Sequence, residues 1–230
     1  IRGPVGLPIK RQGGSNLLIV GQQPETAVGL ISAALESLGR TLPETTPERV
    51  VVIDGTPSED PLTGHLEKTA ANYSGVSVKS WREAEDAVAT FHSDLKHRLA
   101  NGQEDNSTRV LILHGLQRFR GLRTVEDFSF STSEGPPAPD KQFEELLRDG
   151  PTVGLHVVTW CDSVTNLNRT IARGTMRDFE LKVLLQMSAA DSSLLVDTPA
   201  ASQLGGDRAL LSIEETNQLE KFRPYRLRGS

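Results

Sequence analysis

Short apolar runs separated by helix-length stretches constrain this chain more than any other feature. Leu17 to Val20, Val50 to Ile53 and Val110 to Leu113 are apolar throughout, and Leu155 to Trp160 reads as a further buried strand. A strand without polar alternation is covered on both faces. Between these runs, apolar residues recur at helical spacing. Ala27, Leu30, Ile31, Ala34, Leu35 and Leu38 form one stripe, with Gly39 placed to end that helix. Ala84, Ala87, Val88, Phe91, Leu95 and Leu99 form a second stripe, starting from Trp81. The pattern predicts further strands at Val76 to Val78, Phe179 to Met187, Ala209 to Ile213 and Phe222 to Leu227. It predicts helices at Lys141 to Arg148, Val164 to Arg173 and Ser188 to Val196, the last capped by Ser188 with Asp191 three residues on. Strands alternating with helices give an α/β fold with a mostly parallel sheet. Ligands of such sheets sit at the carboxyl ends of the strands, so the loop after Val20 is the first candidate.

Residues 1–15 are rich in glycine and proline and read as a lead-in; residues 16–230 read as a single domain. Within it, residues 129–140 (SFSTSEGPPAPD) form a low-complexity loop, long enough to be mobile or functional. The net charge of -5 excludes a surface that grips nucleic acid everywhere, though not a local basic patch. Cys161 is the single cysteine, which excludes a disulfide framework and a cysteine zinc site and fits a cytosolic setting. No apolar run reaches the roughly 20 residues that span a bilayer. The chain begins at Ile1 without a signal-peptide pattern, as expected of a domain from a longer protein.

NLLIVGQQPETAVGL has the rhythm of a strand, a phosphate loop and a helix. A loop of the form G-x-x-x-x-G-K-[ST] cradles phosphates with backbone N–H groups, meets them with lysine and holds Mg²⁺ through the hydroxyl. Gly21 fits the first position. Thr26 falls on the second glycine, Ala27 on the lysine and Val28 on the hydroxyl. Between them lie Gln22, Gln23, Pro24 and Glu25; Pro24 lacks an N–H, and Glu25 carries negative charge to where a phosphate would sit. Glu25 is expected to stand in for the phosphate at the helix N-terminus. Taken alone, these residues favour an ordinary strand–turn–helix, with Gly21 as the turn and Pro24 at the first helical position.

An ATPase of this kind carries an acid at the end of a second core strand, where it positions Mg²⁺ and the attacking water. In RVLILHGLQRF that position holds His114. Asp54 ends another apolar run, and its Asp-Gly sequence reads as a turn. Both halves of the hydrolytic apparatus are thus absent from their expected places.

Four passages resemble the motor domains of the FtsK/SpoIIIE translocases, in the FtsK–HerA group of P-loop ATPases. They are SNLLIVGQQPETAVGLISAAL, RVLILHGLQRF, FEELLRDGPTVGLHVVTWCDSVTNLNRTI and FELKVLLQMSAADSSLLVDTPAASQLGGDRALL, which span roughly residues 16–213, most of the chain. The resemblance implies a RecA-like P-loop NTPase fold that works beside tandem or neighbouring ATPase domains in a ring. Intact members move double-stranded DNA with ATP. Related tandem domains, some degenerate, act in type VII secretion ATPases of the EccC kind. Ala27, Val28 and His114 depart from the family pattern. They imply a domain without its own ATP hydrolysis and with no cofactor expected, ATP and Mg²⁺ binding only if the altered loop still holds them. Three readings stand open: a structural or regulatory domain of a DNA translocase, a secretion domain taking a protein segment in the empty nucleotide site, and an active NTPase with unusual motifs. A cytoplasmic domain, in a parent protein that is soluble or membrane-associated, suits each.

Arg118, Arg120 and Arg123 (RFRGLR) are candidates for contact with DNA or a neighbouring subunit, or else form a solvated cluster paired with Glu126 and Asp127. Arg169 and Arg173 recur with Arg177 every four residues, and the same alternatives apply. The histidines form no metal pattern: His92 and His97 are wrongly spaced for one helical face, and His156 reads as packed. Cys161 has no evident histidine base and reads as structural.

Overall fold

The computed structural model describes residues 6–101, 107–124, 136–225 and 227. The strands are β1 (Leu17–Val20), β2 (Val50–Asp54), β3 (Val76–Ser80), β4 (Arg109–His114), β5 (Leu155–Cys161), β6 (Leu181–Leu184), β7 (Ala209–Ile213) and β8 (Gln218–Phe222). The helices are α1 (Pro24–Thr41), α2 (His65–Ala70), α3 (Ala84–Asn101), α4 (Pro139–Asp149), α5 (Val164–Leu167) and α6 (Ala189–Val196). All eight strands join one sheet in the order β3-β2-β4-β5-β1-β6-β7-β8. From β3 to β6 every pairing is parallel; β6–β7 and β7–β8 are antiparallel. β1 lies inside the sheet, in register with Val158 on one side and Leu181 on the other at Leu17.

Strands β1, β2, β4 and β5 each send alternate residues to two cores. Leu18 and Val20 pack with Phe91 and Leu95 of α3 and with Phe143 and Leu146 of α4. Ile19 packs with Ala27, Ile31 and Leu35 of α1 and with Leu66 of α2. The helices therefore cover both faces, which is why these strands carry no polar alternation. No helix among the described residues is long and apolar enough to cross a membrane.

The structure corrects several expectations. Gly39 does not end α1, which runs to Thr41. A side chain at Gly39 would collide with the ring of Tyr73, so this glycine is a packing seat between α1 and the turn after α2. α2, unpredicted, buries only Leu66 and Ala70. The helix expected over 164–173 stops at Leu167. Val164, Leu167 and Ile171 are all in the core, but Ile171 reaches it through a turn, its N–H bonded to the Leu167 carbonyl at 2.9 Å. The last strand is Gln218–Phe222, not 222–227. It follows a turn at Asn217 (φ 50°), and Tyr225 then lies over α1, where its carbonyl would stand 2.5 Å from a Cβ at Gly29. α4 begins at Pro139; the expected mobile loop over 129–140 falls mostly on residues outside those described.

His156 on β5 is 1% exposed, and its Nδ1–H donates to the Ser15 carbonyl at 2.8 Å. Burial pushes its pKa down to about 4; the Ser15 carbonyl opposes the shift and the charge of Arg11 adds to it. The folded state therefore favours the neutral ring. That stabilisation is complete above the unfolded value near 6.5 and is lost as pH falls through about 4. Between pH 7.5 and 4.5 this one group should remove about 2–3 kcal/mol of stability, at about 1.4 kcal/mol per unit. His156→Asn keeps an amide donor for Ser15 and does not titrate. Urea unfolding at the two pH values should show wild type losing that much more than the variant; equal losses would refute the assignment.

Candidate functional site

The carboxyl ends of β1, β5, β4 and β2 lie side by side, and their last residues interlock. Gly21 follows β1 with φ 143°, a conformation suited to glycine. Its N–H donates to the Cys161 carbonyl at 3.1 Å, and its carbonyl accepts from the Trp160 indole at 3.1 Å. A Cβ there would stand 2.5 Å from Cβ of Leu185. The Trp160 ring stacks on His114, centroids 4.7 Å apart and 19° from parallel. His114 in turn meets Asp54, its partner in register on β2. Asp54 Oδ1 lies 3.0 Å from His114 Nδ1 and also accepts from the Thr56 N–H (2.8 Å) and hydroxyl (2.6 Å). Burial raises the Asp54 pKa, but the hydrogen bonds from His114 and Thr56 outweigh it and hold the carboxyl below its ordinary value. An ionised carboxylate only accepts, so His114 donates through Nδ1. Its Nε2 is buried without a hydrogen-bond partner.

The spacing of Gly21 to Val28 suggested a phosphate loop, but α1 opens at Pro24, leaving only Gly21, Gln22 and Gln23 as connection. Pro24, Glu25 and Thr26, which a phosphate cradle would need as loop, are already the first helical turn. The helix starts early because Pro24 fixes a helical φ and lacks the N–H that would go unused there. Ala27 and Val28 are fully buried against the sheet. Thr26 donates its hydroxyl to the Gln23 side chain at 3.2 Å. Glu25 is exposed in the first turn, favourably placed for the helix dipole, but the space beside Gly21 is filled by Trp160 and Leu185. Mg²⁺ and a nucleotide triphosphate do not fit these residues. Ala27 and Val28 stand buried where the lysine and the metal-binding hydroxyl belong, the Thr26 hydroxyl is turned to Gln23, and Asp54 is committed to His114 and Thr56. Among the described residues no group of three His, Cys, Asp or Glu side chains could hold a metal ion.

Arg118, Arg120 and Arg123 do come together. With Trp81, Arg82, Glu85 and Phe119 they line a cavity of about 560 Å³ beyond the ends of β3 and β4. Glu126 and Asp127, their expected partners, lie outside the described residues. Arg169 and Arg173 are exposed elsewhere. Arg169 follows α5 and bonds Asn166 at 3.1 Å, and Arg173 opens a separate 3-10 turn ending at Asp178, so the four-residue recurrence does not form one helical face. Burial raises the Cys161 thiol to about 12, so it carries almost no thiolate at neutral pH and is no nucleophile. His92 bonds Glu145 at 2.9 Å between α3 and α4, a structural contact.

Sequence reasoning missed the Asp54–His114–Trp160 stack and the part of Trp81 and Arg82 in the arginine cavity. Asp54 does make the expected turn, through Thr56, and one cue to its second role was present: Asp54 and His114 each close an apolar strand. Adjacency of those strands is a property of the sheet order, which the sequence does not display.

No protein-family model matches the sequence, and no curated protein matches it. Solved structures do. The cytoplasmic domain of the type VII secretion ATPase EccC from Thermomonospora curvata matches with a TM-score of 0.64 at 15% identity, over 95% of this chain and 26% of that one. EssC (ATPases 2 and 3) from Geobacillus thermodenitrificans matches with 0.63 at 13%, over 94% of this chain and 40% of that one. The genome packaging NTPase B204 from Sulfolobus turreted icosahedral virus 2, in complex with AMPPCP, matches with 0.59 at 11%, over 95% of this chain and 100% of that one. This chain thus spans about a quarter of the EccC domain and the whole of B204. The fold is that of FtsK/SpoIIIE-type P-loop ATPase domains, as the sequence passages implied.

Proposed function

On the fold shared with these ATPase domains, we propose that this chain is a non-hydrolysing domain of a larger ATP-driven DNA translocase, structural or regulatory beside active neighbours. One observation carries the reading: α1 opens at Pro24 with Ala27 and Val28 in the core, where a working phosphate loop would be open. The replacement of the acid by His114, itself tied to Asp54, supports it independently. A ring of neighbouring ATPase domains suits a chain that matches single parts of multi-ATPase proteins such as EssC.

A secretion role is the second reading, favoured by the EccC and EssC matches, one of them an EccC structure with a signal sequence peptide. A peptide seated in the nucleotide corner finds little support, since Gly21, His114 and Trp160 are buried and fill it. An active NTPase finds less, for want of a lysine and a free acid. Phosphate release from Mg–ATP by the purified chain tests the proposal. The expected result is no turnover above the protein-free blank. Turnover that disappears in a Gly21→Val variant would overturn it.

A further inference from the structure

The arginine cavity is independent of the nucleotide corner and of the function proposed for it. It lies at the start of α3, where Trp81 and Arg82 follow β3, against the two 3-10 turns Leu116–Arg118 and Arg120–Leu122 that follow β4. Four guanidiniums, Arg82, Arg118, Arg120 and Arg123, meet one carboxylate, Glu85. Among the described residues none of the four makes an ion pair. Arg123 donates to the Gln117 carbonyl at 3.1 Å. Arg82 and Arg118 lie over the Trp81 ring, at 4.6 and 5.9 Å from its centroid. A guanidinium stacked by its face on an indole keeps its N–H edges free for bidentate contact with an oxyanion. Trp81 is 37% exposed, so part of its surface remains open to a planar group.

We propose that this cavity binds a free nucleoside triphosphate by its phosphates, with the base against Trp81, at a site separate from Gly21–Val28. Converging cations without an ion pair among the described residues, in a chain of net charge -5, point to an anion site. Several guanidiniums exceed what one carboxylate can satisfy and match a run of phosphates. The cavity volume falls in the range of small-molecule sites, roughly 300–1,000 Å³. At Gly121 a side chain would fall on the Glu85 carboxylate, which packs against the turn that carries Arg120.

Calorimetry on the whole chain in EDTA tests this, with ATP, inorganic tripolyphosphate, a single-stranded oligonucleotide and an acidic peptide as probes. ATP should bind without Mg²⁺, and more weakly as salt rises. Arg118→Ala with Arg120→Ala should weaken ATP at least about 10-fold, each lost charge-assisted contact being worth that order. Trp81→Ala should weaken ATP more than tripolyphosphate. Glu85→Gln should tighten ATP about 3-fold by removing the opposed charge, a gain that misfolding cannot imitate. No ATP binding, binding that survives the double arginine change, or tighter binding of the oligonucleotide or the peptide would each overturn the proposal. ATP turnover reads the corner at Gly21 and not this cavity, so the two proposals fail separately.

Discussion

Asp54→Ala is expected to destabilise the protein by about 3–5 kcal/mol, the scale of breaking a buried pair from one side. The carboxylate gathers three donors: the Thr56 N–H, the Thr56 hydroxyl and His114 Nδ1. Its side chain is 9% exposed and that of His114 3%, so water does not replace what alanine removes. His114 already has an unpartnered Nε2, and the variant would leave its Nδ1 only the Thr56 hydroxyl, 3.3 Å away. Asp54→Asn keeps an acceptor oxygen and should lose about 1–2 kcal/mol, the difference between a charged and a neutral acceptor. The folded Asp54 pKa lies below its unfolded value, so the advantage of Asp over Asn is present above the unfolded value near 3.8 and fades as pH falls through the folded one. Urea unfolding at neutral pH gives the ranking; an alanine cost under about 1 kcal/mol would mean that the stack contributes little.

This pair also decides what an acid at position 114 would meet. An acid placed at 114 would stand beside the Asp54 carboxylate, on the strand position directly in register with it. Two carboxylates so close do not both ionise easily, and one would hold a proton rather than a metal. His114 engages Asp54, and the Trp160 indole bonds the Gly21 carbonyl, so the ends of β2, β4, β5 and β1 are tied to one another.

Legibility in the sequence followed burial. β1 and β7 appear at their predicted bounds because Leu17–Val20 is apolar and central and Ala209–Ile213 is buried nearly throughout. The Ser188 cap of α6 was also legible: its hydroxyl accepts from the Asp191 N–H at 3.1 Å. β8 was misplaced because an edge strand with one face in water carries no apolar run; QLEKF is mostly exposed, and the more aromatic FRPY drew the prediction onward. Gly39 misled because helix-stopping and close packing leave the same mark, a glycine after an apolar stripe. At the candidate site, that Ala27 is no lysine and His114 no acid could be read residue by residue. What fills their place could not. Trp160, Leu185 and Gly21 lie far apart in sequence, and only the order β4-β5-β1-β6 brings them together.

Arg49→Met is expected to destabilise the fold by about 3–5 kcal/mol, although methionine has nearly the right length for the space. Arg49 precedes β2 and is 0% exposed. Its guanidinium donates to the carbonyls of Gly39 (3.0 Å) and Leu42, where α1 ends. Those carbonyls belong to the last turn and have no helical partner, and a cation there also meets the negative end of the helix dipole. Replacing a buried ion pair by apolar residues is often neutral, because both charges leave together. Here the acceptors are backbone and stay behind, buried and unpaired. Gly75, at φ 68°, brings its backbone against the Arg49 side chain, 3.3 Å from Cγ and Nε to an added Cβ, which fixes the stem in one path. Arg49→Lys keeps the charge but presents a single nitrogen to two separated carbonyls, and should lose about 2 kcal/mol. Denaturant midpoints with unchanged m-values would measure both; a methionine variant as stable as wild type would show that the end of α1 satisfies its carbonyls without Arg49.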